Sequence, residues 1–154
     1  MNTIGDAAVL ERFVEQVTDT IGHTAVAGVD LSGLQRPRAA RSRLQHAMTR
    51  LAFTLYADRA PRALMLVWTG QEPATAAVRT LTLATGESLH RHSEMVRGCP
   101  LGLSLVFADA HTPAEILAVH LTSPGSLMVD GVAAVSWIDA CGCGIRQAAA
   151  AARI

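Results

Sequence analysis

The chain has no lysine, so all of its basic charge outside histidine is carried by arginine. That excludes the Gly-x-x-x-x-Gly-Lys phosphate loop, and the glycines form no Gly-x-Gly-x-x-Gly run either; nucleotide chemistry is not expected. A Gly-x-Ser-x-Gly elbow and a local cysteine-protease signature are also missing, so Ser104, Ser136 and Cys99 read as strand or turn residues rather than nucleophiles. Cysteine is scarce. Three residues, Cys99, Cys141 and Cys143, are an odd number and point to free thiols rather than a disulfide framework.

Acidic residues (Asp6, Glu11, Glu15) interrupt the first turns where a secretory leader would be basic and apolar. No run approaches the roughly 18 apolar residues that a membrane span requires. The expectation is a cytoplasmic protein with no membrane partner. Charge of one sign does not dominate: 13 basic and 13 acidic residues cancel, which argues against nucleic acid as a partner.

Half of the residues are hydrophobic and 17% are charged, the balance of a globular core. At 154 residues the chain suits one domain, 1–154. Val9, Leu10, Phe13, Val14 and Val17 recur at helical spacing from Asp6 to about Ile21. Glycines 22, 28 and 33 and Pro37 then indicate a loop, with one short strand near Ala25 to Val29. A second helix is expected from about Arg38 to Leu51, where Leu44, Ala47, Met48 and Leu51 make one face. Ala52 to Ala57 and Ala63 to Trp68 read as strands about a turn at Asp58-Arg59-Ala60-Pro61. The second of these has no polar residue, as befits a central strand covered on both sides.

Val78 to Gly102 reads as two strands about a turn at Ala84-Thr85-Gly86-Glu87. On that reading Arg79 shares a face with Leu81 and Leu83, and a guanidinium turned toward a core needs a carboxylate, from the protein or from a ligand. Leu101 to Phe107 fits a strand or a short helix. Thr112-Pro113-Ala114-Glu115 is a helix start, with the helix running to about His120. Ser126 to Val129 and Val132 to Ile138 read as a closing hairpin turned at Asp130-Gly131, followed by an alanine-rich helical tail. The order implies α+β architecture with a mainly antiparallel sheet and N-terminal helices packed on it.

A metal reading would join His90, His92 and Glu94 to Cys141 and Cys143, but the Cys-x-Cys spacing is not the usual zinc pattern and a polar, solvent-facing strand explains the same residues. Neither metal nor cofactor is expected. What remains is a mostly apolar pocket with one inward arginine, suited to a small carboxylate because the planar guanidinium pairs with it bidentately.

Four pieces in order resemble the chorismate lyase family, whose fold is shared by the UTRA ligand-binding domains of bacterial regulators. They are Ala47-Met48-Thr49-Arg50, Val78-Arg79-Thr80-Leu81-Thr82-Leu83 leading to Thr85-Gly86-Glu87, Pro100-Leu101-Gly102 with Phe107, and Val129-Asp130-Gly131. The resemblance implies conversion of chorismate to 4-hydroxybenzoate and pyruvate, without cofactor, in a buried pocket of a mainly antiparallel sheet. It implies that Arg79 grips a carboxylate, that Met48 lines the pocket and that Leu101 and Gly102 close over the ligand. The family's proton-donating glutamate has no counterpart at the matching step, Ser136-Trp137; Asp139, two residues on, is the candidate substitute, and Glu94 is a further carboxylate near the site. The alternative implied is a non-catalytic binder of a small aromatic or cyclic carboxylate on the same fold.

Overall fold

The computed structural model describes residues 2–5, 23–113 and 125–151. The helix expected over Asp6 to Ile21 and most of the one beginning at Thr112 lie outside the described residues. The described chain forms strands β1 (Asn2–Gly5), β2 (Thr24–Asp30), β3 (Arg62–Trp68), β4 (Gly102–Ala108) and β5 (Gly131–Ser136). Its helices are α1 (Pro37–Asp58), α2 (Ala76–Arg97), α3 (Trp137–Cys143) and α4 (Ile145–Ala151).

The five strands form one sheet in the order β1-β2-β3-β4-β5, and every neighbouring pair is parallel. The expected α+β fold with an antiparallel sheet is therefore corrected to α/β, with helices interleaved between parallel strands. Short apolar strands buried on both faces look alike in either sheet type; what distinguishes them is the connection, since parallel neighbours need a long crossover. Here α1 supplies the crossover from β2 to β3 and α2 that from β3 to β4.

The expected hairpin over Val78 to Gly102 is where the sequence reading departs most from the structure. Residues 76 to 97 are one helix of 22 residues, and β4 follows it. The threonines that suggested strand alternation are absorbed by the helix: the Thr80, Thr82 and Thr85 hydroxyls donate to the carbonyls of Ala76, Val78 and Leu81 at 2.9, 2.8 and 2.7 Å. The inward stripe is Val78, Thr82, Gly86, Leu89 and Ser93, a helical period. Thr75 caps the start, its side chain accepting from the Val78 amide, and Gly98 ends it in the left-handed region at φ 66°. Gly86, read as a turn residue, sits in mid-helix because a Cβ there would come within 2.8 Å of Leu105 Cδ1. Its missing side chain lets α2 settle on β4 and β5.

In the same way, α1 runs on through Ala52 to Ala57, where a strand was expected, because Leu51 and Leu55 extend the buried stripe of Ala40, Leu44, Ala47 and Met48. Pro37 stands in its first turn, and Arg59, at φ 49°, turns the chain toward Pro61. The closing hairpin is corrected too. Gly131, at φ 78°, opens β5, which runs parallel to β4, and the chain turns into α3 at Trp137. The short strand near Ala25 to Val29, the central strand at Ala63 to Trp68 and the helical alanine-rich tail all correspond to observed elements.

The sheet divides two cores. On one face Ala25, Ala27, Val29, Met65, Val67, Leu103, Leu105 and Phe107 pack against α1 and α2. Val26, Leu64, Leu66, Val106, Ala133 and Val135 meet Ala140, Ile145, Ala148 and Ala149 of α3 and α4 on the other. Burying each large side chain contributes about 1.5–3 kcal/mol, which makes these two layers the main source of stability. No helix among the described residues is long and apolar enough to cross a membrane.

Gly102 tests how tightly the chain is threaded. A Cβ at this position would overlap the carbonyl group of Met128, a backbone clash that no side-chain rotation relieves. Gly102→Ala is expected to lower the urea midpoint by the equivalent of about 1–3 kcal/mol. Gly142, exposed in α3 with nothing near its would-be Cβ, should gain up to about 1 kcal/mol on change to alanine, through helix propensity. Equal effects of the two substitutions would refute the packing account.

Candidate functional site

Among the described residues the strand order never reverses, so these five strands offer no switch point of the kind at which open α/β sheets form a ligand crevice beyond their carboxyl ends. The carboxyl edge is instead filled with hydrogen bonds that hold loops. Asp109, 5% exposed, accepts from the Trp137 indole at 3.1 Å and from the His111 amide at 2.8 Å. Thr69 donates its hydroxyl to the carbonyls of Glu72 and Ala108 at 2.7 and 3.2 Å.

A large open cavity lies elsewhere, along the two long helices. Each has 22 residues, about 33 Å at 1.5 Å per residue. They touch each other above the sheet, and their outward sides leave an open groove of about 820 Å³. From α1 come Arg41, Gln45, Met48, Ala52, Phe53 and Tyr56, and from α2 Leu81, Thr85, Ser88, Leu89 and His92. The residues recur every three or four positions on each helix, so helix periodicity alone gathers them on the facing sides.

The groove has a distinct chemistry. Phe53 is 69% exposed although its neighbours Leu51 and Leu55 are fully buried, so an apolar ring is held at the groove wall by the helix rather than by a core. Tyr56 and His92 meet across the groove edge to face, with centroids 6.3 Å apart and rings inclined at 63°. The Tyr56 hydroxyl is buried and has no hydrogen-bond partner among the described residues. The basic side chains of the groove are Arg41 and His92, and no carboxylate lines it among the described residues.

Of the residues anticipated as the site, only Met48 lines this groove. Arg79 lies on a helix rather than a strand, so the alternation that turned it inward does not apply; it is exposed, with its guanidinium carbon 5.4 Å from the centroid of the Phe107 ring. Leu101 and Gly102 are buried where β4 begins, the first donating its amide to Glu94 Oε1 at 3.1 Å and the second to the Pro61 carbonyl at 3.1 Å. Asp139 is occupied at the start of α3: Ser136 Oγ donates to its Oδ2 at 2.6 Å and accepts from its amide at 3.3 Å. α2, which carries Arg79, and α3, which carries Asp139, pack on opposite faces of the sheet.

The residues of the metal reading separate as well. His90 and Glu94 lie one turn apart on α2 with Asp130 beside them, whereas His92 turns into the groove. Cys141 and Cys143 sit on α3, and burial raises the Cys141 thiol pKa, which makes it a poorer nucleophile. Arg41, Phe53, Tyr56 and His92 were missed because the sequence reading ended α1 at Leu51 and folded α2 into two strands. Carrying the stripe on from Leu51 to Leu55 would have placed the chain's one tyrosine on the same helix side as Met48.

The chain matches no protein-family model, no curated protein and no solved structure. The site therefore stands on its own geometry.

An unpaired buried hydroxyl costs the free protein stability, about 1–3 kcal/mol by mutational measures. Tyr56→Phe removes that hydroxyl and keeps the ring against His92. It is expected to leave thermal stability unchanged or raise it slightly; a fall of several degrees would mean that the hydroxyl has a structural partner.

Proposed function

We propose that this protein is a non-catalytic binding module for a small aromatic or cyclic carboxylate, taken in the groove between α1 and α2. The observation that carries this reading is the wall itself: the exposed Phe53 ring and the half-buried Tyr56 ring beside buried Met48 and Leu89, with Arg41 and His92 as its basic side chains and no acid among the described lining residues. Arg41 supplies a planar fork for a carboxylate, and the rings of Phe53 and Tyr56 a surface for a flat apolar body. A volume of about 820 Å³ lies within the range of small-molecule sites.

Of the two activities implied by the family resemblance, binding is the better supported. Loss of an enolpyruvyl group as pyruvate calls for a general acid within hydrogen-bond reach, and neither Asp139 nor Glu94 lines the groove. The parallel sheet also removes the fold on which that resemblance placed Arg79 at the carboxylate.

The test is calorimetric titration of the full chain with 4-hydroxybenzoate, alongside a coupled assay for pyruvate release from chorismate. Saturable binding with a dissociation constant on the order of 1 μM to 1 mM is expected, with no pyruvate formed. Arg41→Ala should weaken it about tenfold, equivalent to about 1.4 kcal/mol. Absence of binding, or binding indifferent to Arg41→Ala, would overturn the assignment. Release of pyruvate would restore the lyase.

A further inference from the structure

We propose that His90, Glu94 and Asp130 form a divalent-cation site that clips the C-terminal half of α2 to the turn leading into β5. One donor atom from each of the three side chains lies within 4.8 Å of the others, close enough for one ion to touch all three after small side-chain rotations. The three come from two segments 36 residues apart in the chain. His90 and Glu94 are one helical turn apart on α2, and Asp130 immediately precedes Gly131, whose φ of 78° sets the turn into β5.

Two further features point to a cation. Donor atoms of Glu94 and Asp130 lie within 4.8 Å of one another, and among the described residues the basic side chain nearest Glu94 is His90, Nε2 to Oε2 at 3.4 Å, with no arginine so placed. Two carboxylates so close repel, and a cation between them removes the repulsion. Glu94 is also held in aim, because its Oε1 accepts the Leu101 amide at 3.1 Å while Oε2 faces His90; such outer hydrogen bonds orient metal ligands. His90 itself is 16% exposed and presents Nε2 to Glu94. The ring's polar contact is made on the side of the carboxylates. The place in the helix agrees, since a cation is favoured near the carbonyl end that closes at Gly98.

One imidazole and two carboxylates are a nitrogen and oxygen donor set of the kind taken by Zn²⁺ or Mn²⁺, with the remaining coordination positions left to water. This site is separate from the groove: His90 and Glu94 do not line it, and the inference does not depend on the ligand proposed there.

The experiment uses Mn²⁺, because the free thiols of Cys99, Cys141 and Cys143 compete for Zn²⁺ but bind Mn²⁺ poorly. The full chain, stripped with chelator, is titrated with Mn²⁺ alone and free ion is read by electron paramagnetic resonance, with thermal unfolding followed in parallel. One Mn²⁺ per chain and a metal-dependent rise in Tm are expected. Asp130→Asn, at an exposed residue whose loss should not disturb folding, and His90→Ala should each weaken binding about tenfold or more and abolish the rise. Glu87→Gln, an exposed acid on the same helix outside the cluster, should change neither. Absence of bound Mn²⁺, or binding that Asp130→Asn leaves intact, would overturn the site.

Discussion

β3 and β4 lie side by side in the middle of the sheet, and their interior side chains are buried on both faces. Because side chains alternate along a strand, Met65, Val67, Leu103 and Leu105 must be covered from one side while Leu64, Leu66 and Val106 must be covered from the other. No arrangement that leaves one face in water satisfies such strands. Two layers of helix are required, and the parallel sheet supplies them because its crossovers pass over its faces. α1 and α2 are long because they serve as both crossover and cover; α3 and α4 close the opposite face after the last strand.

The groove is a consequence of that same arrangement. α1 lies chiefly over β1 and β2, and α2 over β4 and β5. Their inner stripes belong to the core; the sides they turn to each other higher up meet no third layer among the described residues. Phe53 and His92 are exposed at that level and Tyr56 is half-buried, while Leu55 and Leu89 beside them are buried. The clip proposed at His90, Glu94 and Asp130 lies on a different side of α2 and ties that helix to the loop that feeds the edge strand. Along the same loop, Ser104, wholly buried in β4, accepts the Met128 amide at 3.0 Å, so a polar side chain inside the sheet also holds this segment in place.

Much of the local structure was legible. An unbroken apolar run at Ala63 to Trp68 identified a strand covered on both faces, and the Leu44, Ala47, Met48, Leu51 stripe identified a helix. Residues 78 to 83 misled because Val-Arg-Thr-Leu-Thr-Leu satisfies a period of two over six residues, while its helical period emerges only across the full 22. The terminators are present in the sequence, Thr75 before and Gly98 after, but they lie 23 residues apart, beyond the short window in which the alternation shows. The supposed inward turn of Arg79 was an arithmetical result of that error: on a helix, its neighbours are three and four residues away, not two.

By itself, the sequence determined which segments had to be buried, that no phosphate loop, nucleophile elbow or charge excess directs the function, and that Met48 belongs to an apolar helix face. Strand direction and the partners of each charged side chain were decided only in tertiary structure. Parallel and antiparallel sheets bury the same apolar runs, and the difference between them lies in crossovers whose course local pattern does not encode. Likewise, nothing in the spacing brings Asp130 to Glu94, or Tyr56 to His92; those pairs exist because packing against one shared sheet places distant turns of chain side by side.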